Sequence, residues 1–133
     1  MAGRQSYSQA NEIGATQPVL LERTGAVTVA AVPGSWRNHG NTPRRLLRAT
    51  AHVGTAPTGA GLAVNILVDG VSVYNVAGDR LTIAAGTKSA ENKPSKTDLD
   101  AISVRPGQVV TAEVTQVGST VAGSDLVVAL FLG

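Results

Sequence analysis

The sequence predicts an all-β protein: an antiparallel β-sandwich of jelly-roll kind, built as a single domain with an extended N-terminal arm. Three observations carry this. Val and Thr, both β-branched and suited to a pleated half-buried surface, recur throughout the chain, while no stretch carries a convincing helical period. Fifteen glycines and six prolines supply turns between the apolar runs. Those runs are about five to ten residues long and follow one another regularly, the spacing expected of a sandwich.

At 133 residues there is room for one ordinary domain. Residues 1–20 are polar and without a clear period, and read as an arm, disordered alone or ordered by a partner; residues 21–133 read as the sandwich. The segment 26–32, AVTVAAV, reads as the first strand, with Val27, Val29 and Ala31 on one face, stopped at Pro33-Gly34. A loop over 35–45 follows, then a strand over 46–53 that places Leu47, Ala49, Ala51 and Val53 inward and Arg48, Thr50 and His52 outward. LAVNILV (62–68) and VSVYNV (71–76) flank Asp69-Gly70, the favoured pair for a two-residue type I′ turn. Pairing outward from that turn sets Val68 opposite Val71 and Ile66 opposite Val73.

Residues 84–100 are polar and broken by Pro94, and read as a long loop, of a kind that is usually functional or mobile. Strands are expected at 101–104, 108–117 and 125–132. In the last, Leu126, Val128, Leu130 and Leu132 share one face and Val127, Ala129 and Phe131 the other. A strand apolar on both faces is central, or is covered on its second side by another subunit.

One internal echo runs through these elements. VGTAPTGAGLAVNIL (53–67) aligns without gaps on VGSTVAGSDLVVALF (117–131), with Gly54 matching Gly118 and Gly59 matching Gly123. Two strand–corner–strand units of the same build would produce it, as would convergence on one turn chemistry.

The core is rich in small residues, since only Tyr7, Trp36, Tyr74 and Phe131 are aromatic. Small side chains bury little area each, so part of the stability is expected from neighbouring subunits. The absence of cysteine excludes disulfides and thiolate metal sites. The start lacks a signal-peptide core and no apolar run reaches the ~18 residues of a membrane span, so a protein made in the cytoplasm and not secreted, without a membrane partner, is expected.

Net charge is +2 but uneven. Residues 1–54 hold six arginines against Glu12 and Glu22, and the remainder holds five basic against seven acidic residues. Arg4, Arg23, Arg37, Arg44, Arg45 and Arg48, with Trp36 as an anchor, therefore form a candidate docking set; solvated side chains flanking a strand are the alternative.

The segments 55–75, 79–86 and 105–132 resemble a β-sandwich module of bacteriophage virion proteins, as in head decoration, tail-fibre and baseplate proteins. The resemblance rests on the TAPTG corner, the Asp-Gly hairpin, Arg80-Leu81-Thr82-Ile83-Ala84-Ala85-Gly86, and Gly107, Val114, Gln116, Val117, Gly118, Ser119, Thr120, Gly123, Asp125, Leu126, Val128 and Leu130. Gln108 and Glu113 depart from it, each standing where the module has Asp. The resemblance implies a virion setting. A capsid decoration, or cement, protein bound outside the head is the first expectation, with the major capsid protein and itself, as a homotrimer, for partners. A tail-fibre or baseplate module recognising a host surface is the alternative.

Catalysis is not expected. A nucleophilic triad needs a positioned base, and His39 and His52 read as ordinary surface residues on a loop and an outward strand face. Asp98-Leu99-Asp100 could contribute to a Ca²⁺ site but lacks further ligands at suitable spacing. No phosphate-binding glycine motif opens a helix. No cofactor, metal or small-molecule substrate is expected, and nucleic acid is not expected as a partner, Trp36 reading as a packing anchor rather than a base platform.

Overall fold

The computed structural model describes residues 18–133. Among the described residues, ten strands form two five-stranded antiparallel sheets that enclose one core. They are β1 (Val19–Ala26), β2 (Trp36–Arg37), β3 (Arg44–His52), β4 (Leu62–Val68), β5 (Val71–Ser72), β6 (Leu81–Ile83), β7 (Ser89–Asn92), β8 (Ser103–Val104), β9 (Val109–Gln116) and β10 (Ser124–Leu132). One helical turn, α1 (Leu99–Ile102), precedes β8. The first sheet runs β1-β10-β3, with β7 and β8 side by side along the far edge of β3; the second runs β2-β9-β4, with β5 and β6 along the far edge of β4.

The Asp69-Gly70 hairpin forms as its sequence dictates. Both residues take positive φ (49° and 82°), as a type I′ turn requires. Val68 faces Val71, and the Val73 amide donates to the Ile66 carbonyl at 3.0 Å. The Asp69 carboxylate accepts from the Val109 amide at 2.9 Å, tying the turn to β9. The partner strand is shorter than 71–76, because after Ser72 the chain bends away to bury Tyr74.

The 53–67 and 117–131 units have equivalent places in the sandwich. Each carries the chain from one sheet to the other: β3 to β4 in one unit, β9 to β10 in the other. Their strands then pair crosswise, β10 with β3 and β4 with β9. The two corners lie against each other, with the Thr58 amide donating to the Val121 carbonyl at 2.9 Å and the Thr120 amide to the Thr58 carbonyl at 3.0 Å. The contacts are reciprocal. Gly59 abuts Ser119, and its counterpart Gly123 abuts Thr55, the counterpart of Ser119. Gly118 sits where the corners approach closely: a Cβ there would lie 2.8 Å from both the amide nitrogen and the carbonyl oxygen of Thr58 in the facing corner.

Five expectations are corrected. The first strand is not 26–32. It is β1, which begins at Val19, inside the expected arm, and ends where Gly25 (φ 82°) donates its amide to Asp125 at 2.8 Å. Residues 27–32 instead cross to the second sheet; Val27 and Val32 plug the core, Val29 is exposed, and only Ala31 bridges β9. Within 35–45, Trp36 and Arg37 pair with β9 rather than looping, and Arg44 and Arg45 already belong to β3.

The third correction is Leu47, which points outward. Arg48 pairs with Phe131 and Leu46 with Leu132, so Leu47 is the extra residue of a β-bulge. The bulge reverses the alternation, sending Leu46 into the core (1% exposed) and leaving Leu47 39% exposed. The fourth is 84–100, which is not all loop: Ser89–Asn92 adds β7 to the sheet edge, where Ala90 packs on the core and Glu91 faces out. The expected strand over 101–104 shrinks to Ser103–Val104 because Asp98 caps α1, its carboxylate accepting from the Asp100 amide at 3.0 Å.

The core contains leucine, valine and isoleucine from both sheets, with Tyr74 as its aromatic member. Leu46, Leu62, Leu126 and Leu130 are essentially fully buried, each worth about 1.5–3 kcal/mol by transfer from water. β10 is central, lying between β1 and β3.

Candidate docking face

The outer face of the first sheet can be read off its register. Alternation turns Leu21, Val128 and Ala51 toward the core, so their neighbours face away. Across β1, β10, β3 and β7 one outward row is Leu20, Ala129, Thr50 and Glu91; the next is Glu22, Val127, His52 and Ser89. Beside the first row, Arg48 lies over the Phe131 ring at 3.9 Å from its centroid and reaches Glu91 at 3.6 Å. An aliphatic strip along β10 is thus flanked by polar groups. Leu20, 52% exposed, extends it to β1, the outermost strand on that side among the described residues.

At one end of this face the surface sinks into an open groove of about 550 Å³, between β3, the segment 93–97 and α1. A smaller hollow of about 220 Å³ adjoins it, lined by Leu47, Arg48, Phe131 and Leu132. The two share Leu47 and Arg48, so the bulged leucine stands on the ridge between them.

The candidate docking residues do not converge. Arg44, Arg45 and Arg48 lie together on β3, Arg45 and Arg48 in the wall of the groove. Arg44 is half-buried and its guanidinium donates to the Leu132 carbonyl at 3.4 Å. Arg23 sits on β1 at an inward register position opposite Leu126, away from the other three. Trp36 and Arg37 belong to the second sheet; Trp36 is half-buried against the core, and Arg37 donates to the Gly107 carbonyl at 2.8 Å. Arg4 lies outside the described residues.

Two buried polar clusters hold the frame of the face. Asn38, 3% exposed, donates to the carbonyls of Thr42 and Val104 at 2.9 and 2.7 Å and accepts from the Gly40 amide at 2.9 Å. Its own amide and carbonyl pair with Gln108 and Gly107, so one side chain locks the 38–42 loop, β8 and the turn before β9. Tyr74 donates its hydroxyl to Asn92 on β7 at 2.9 Å, and Asn92 donates to the Asp79 carbonyl at 3.0 Å. Burial pushes the Tyr74 phenol up to about 12.

His39 and His52 are exposed. Asp100 pairs with Arg105, and no group of three or more metal-ligating side chains occurs among the described residues. No helix among them is long and apolar enough to cross a membrane.

No family model matches the chain, and no curated protein matches it. Among solved structures, a chain in the capsid of Ralstonia phage GP4 superposes with a TM-score of 0.51 at 17% identity, over 90% of this chain and 84% of that one. The two chains share a fold. The shared part therefore takes in nearly the whole described sandwich, both sheets included.

Sequence reasoning found the basic cluster on β3 but missed the groove beside it. The lining residues Lys93, Lys96, Leu99 and Ile102 come from a stretch whose polarity hides its packing. One signal was present: Leu99 and Ile102 are apolar residues three apart in an otherwise polar run, the spacing of one helical turn.

Proposed function

We propose that this chain is a structural component of a phage virion, and within that setting a decoration protein that binds the outside of the head and cements neighbouring shell subunits as a homotrimer. The observation that carries the virion reading is the fold, shared over 90% of the chain with a protein of a phage capsid. The module-like segments at 55–75, 79–86 and 105–132 support it, and they fall on the corners, hairpin and central strands of that fold.

The decoration role is supported by the outer face of the first sheet. An aliphatic strip rimmed by charge suits attachment to another protein rather than turnover of a small molecule. The role is passive: apolar area buried across subunit boundaries stabilises the shell without any chemical step.

The test is to locate the protein on purified particles by cryo-electron microscopy. Hundreds of copies on the head, in contact through the β1-β10-β3 face, are expected. A few copies at the tail tip would replace the decoration role with that of a tail-fibre or baseplate module. Absence from the particle would end the virion reading.

A further inference from the structure

We propose that the groove between β3, the 93–97 segment and α1 is a receptor for an acidic peptide segment of another protein, anchored by an aliphatic side chain. This deepens the reading above, on which it rests only for the source of the segment.

The charge of the lining sets the chemistry. Arg45, Arg48, Lys93 and Lys96 contribute to it, and no carboxylate does. The nearest acids are engaged elsewhere. Glu91 meets Arg48 on the outer face, Asp98 caps α1, and Asp100 pairs with Arg105. Among the described residues Arg45, Lys93 and Lys96 have no acidic partner. Three cations held around one hollow repel one another, and an incoming carboxylate relieves that repulsion.

The apolar part of the lining sets the anchor. Leu47 and Leu99 are 39% and 59% exposed, and Ile102 lies half-buried between them and the core. The bulge in β3 is what turns Leu47 out, and bulges recur where a strand must re-aim a side chain. A leucine-sized group entering the groove would remove both exposed leucines from water.

Two other occupants fit less well. The chain's own residues 1–17 carry one acid, Glu12, and one base, Arg4, and so bring no net negative side-chain charge. Nucleic acid would meet the cations but find no exposed aromatic platform, since Trp36 is on the other sheet and the Phe131 ring is covered by Arg48.

The test is methyl NMR on the full chain, titrated with a blocked octapeptide of alternating acidic and leucine residues. Shifts confined to the methyls of Leu47, Leu99 and Ile102 are expected, with affinity falling about tenfold in the double variant Lys93→Glu, Lys96→Glu and with added salt. Lys93 is exposed and Lys96 half-buried, and unchanged spectra elsewhere would show that the variant is folded. No shift at these methyls overturns the proposal. Equal binding of the peptide with its acids replaced by serine does so too, as does tighter binding of a peptide of residues 1–17 or of a single-stranded oligonucleotide. The experiment needs no capsid, so the groove can fail while the virion reading stands.

Discussion

Replacing Gly118 with Ala tests how closely the two corners meet. A Cβ built there lies 1.9 Å from the Val121 carbonyl oxygen and 2.8 Å from both the amide nitrogen and the carbonyl oxygen of Thr58. All three atoms are backbone, so no rotamer change relieves the contact: Gly118 must move away from Val121 within its own corner and from Thr58 in the facing one. Overpacking of this kind costs about 1–3 kcal/mol. Movement also stretches the Thr58–Val121 and Thr120–Thr58 hydrogen bonds, each worth about 1 kcal/mol. The expected loss is therefore about 3–5 kcal/mol, a large share of the stability of a domain this size. Gly54, at the matching position of the other unit, is the control. There a Cβ meets Asp125 at 3.2–3.3 Å, a contact that a shift of a few tenths of an ångström relieves, at most with the loss of the hydrogen bond from the Gly25 amide, so Gly54→Ala should cost only about 1 kcal/mol. Urea unfolding followed by far-ultraviolet circular dichroism measures both. A Gly118→Ala variant within about 1 kcal/mol of the parent, or no weaker than Gly54→Ala, would refute the packing of the two corners.

Three further predictions concern the frame and the face. Because the folded Tyr74 phenol is raised to about 12 against 10.0 in the unfolded chain, its contribution is complete below pH 10 and is lost as pH rises from 10 to about 12; the difference corresponds to roughly 2–3 kcal/mol, and Tyr74→Phe should flatten that part of a stability-against-pH curve. Asn38→Ala leaves the Val104 and Thr42 carbonyls and the Gly40 amide without their partner and should cost about 2–4 kcal/mol in chemical denaturation, with Asn38→Asp no better, since a carboxylate cannot donate to either carbonyl. Arg48→Ala removes an exposed ion pair and a guanidinium stacked on Phe131; it should shift the urea midpoint by the equivalent of only about 0.5–1 kcal/mol while weakening attachment to shells in a co-sedimentation assay.

Much of this fold could be read from local chemistry. Asp69-Gly70 announces its hairpin because no other turn suits two residues of positive φ between β runs. The 62–68 and 125–132 strands are legible because each is a mostly apolar run of β-prone residues that begins just after a glycine-containing turn. The errors fall where tertiary contacts override the local pattern. Val27, Val29 and Ala31 alternate like a strand, yet Gly25 and the Asp125 carboxylate end β1 just before them, and the chain must then change sheets. Leu47 obeys alternation on paper and defies it in space, because a bulge is decided by the partner strand and leaves no mark in its own residues. β7 was hidden for a related reason: an edge strand needs only one apolar residue, Ala90, to dock. The candidate arginines shared a charge and a stretch of sequence, but the sheet change between β2 and β3 separates them in space, and only those on β3 stand together at the groove.

The position of β10 also governs the order in which the molecule can form. It joins β1 to β3, yet it follows every other described strand in the sequence. Until it emerges, β1 has no neighbour and the first sheet lacks its middle, so the face that carries Phe131, Ala129 and Val127 does not exist. At ordinary synthesis rates the first half of the chain waits some seconds for that strand. Contacts so distant in sequence also close slowly once all the strands are present. A chain that lacks β10 therefore lacks this face altogether, because the strand supplies both its apolar strip and the link that holds β1 to β3.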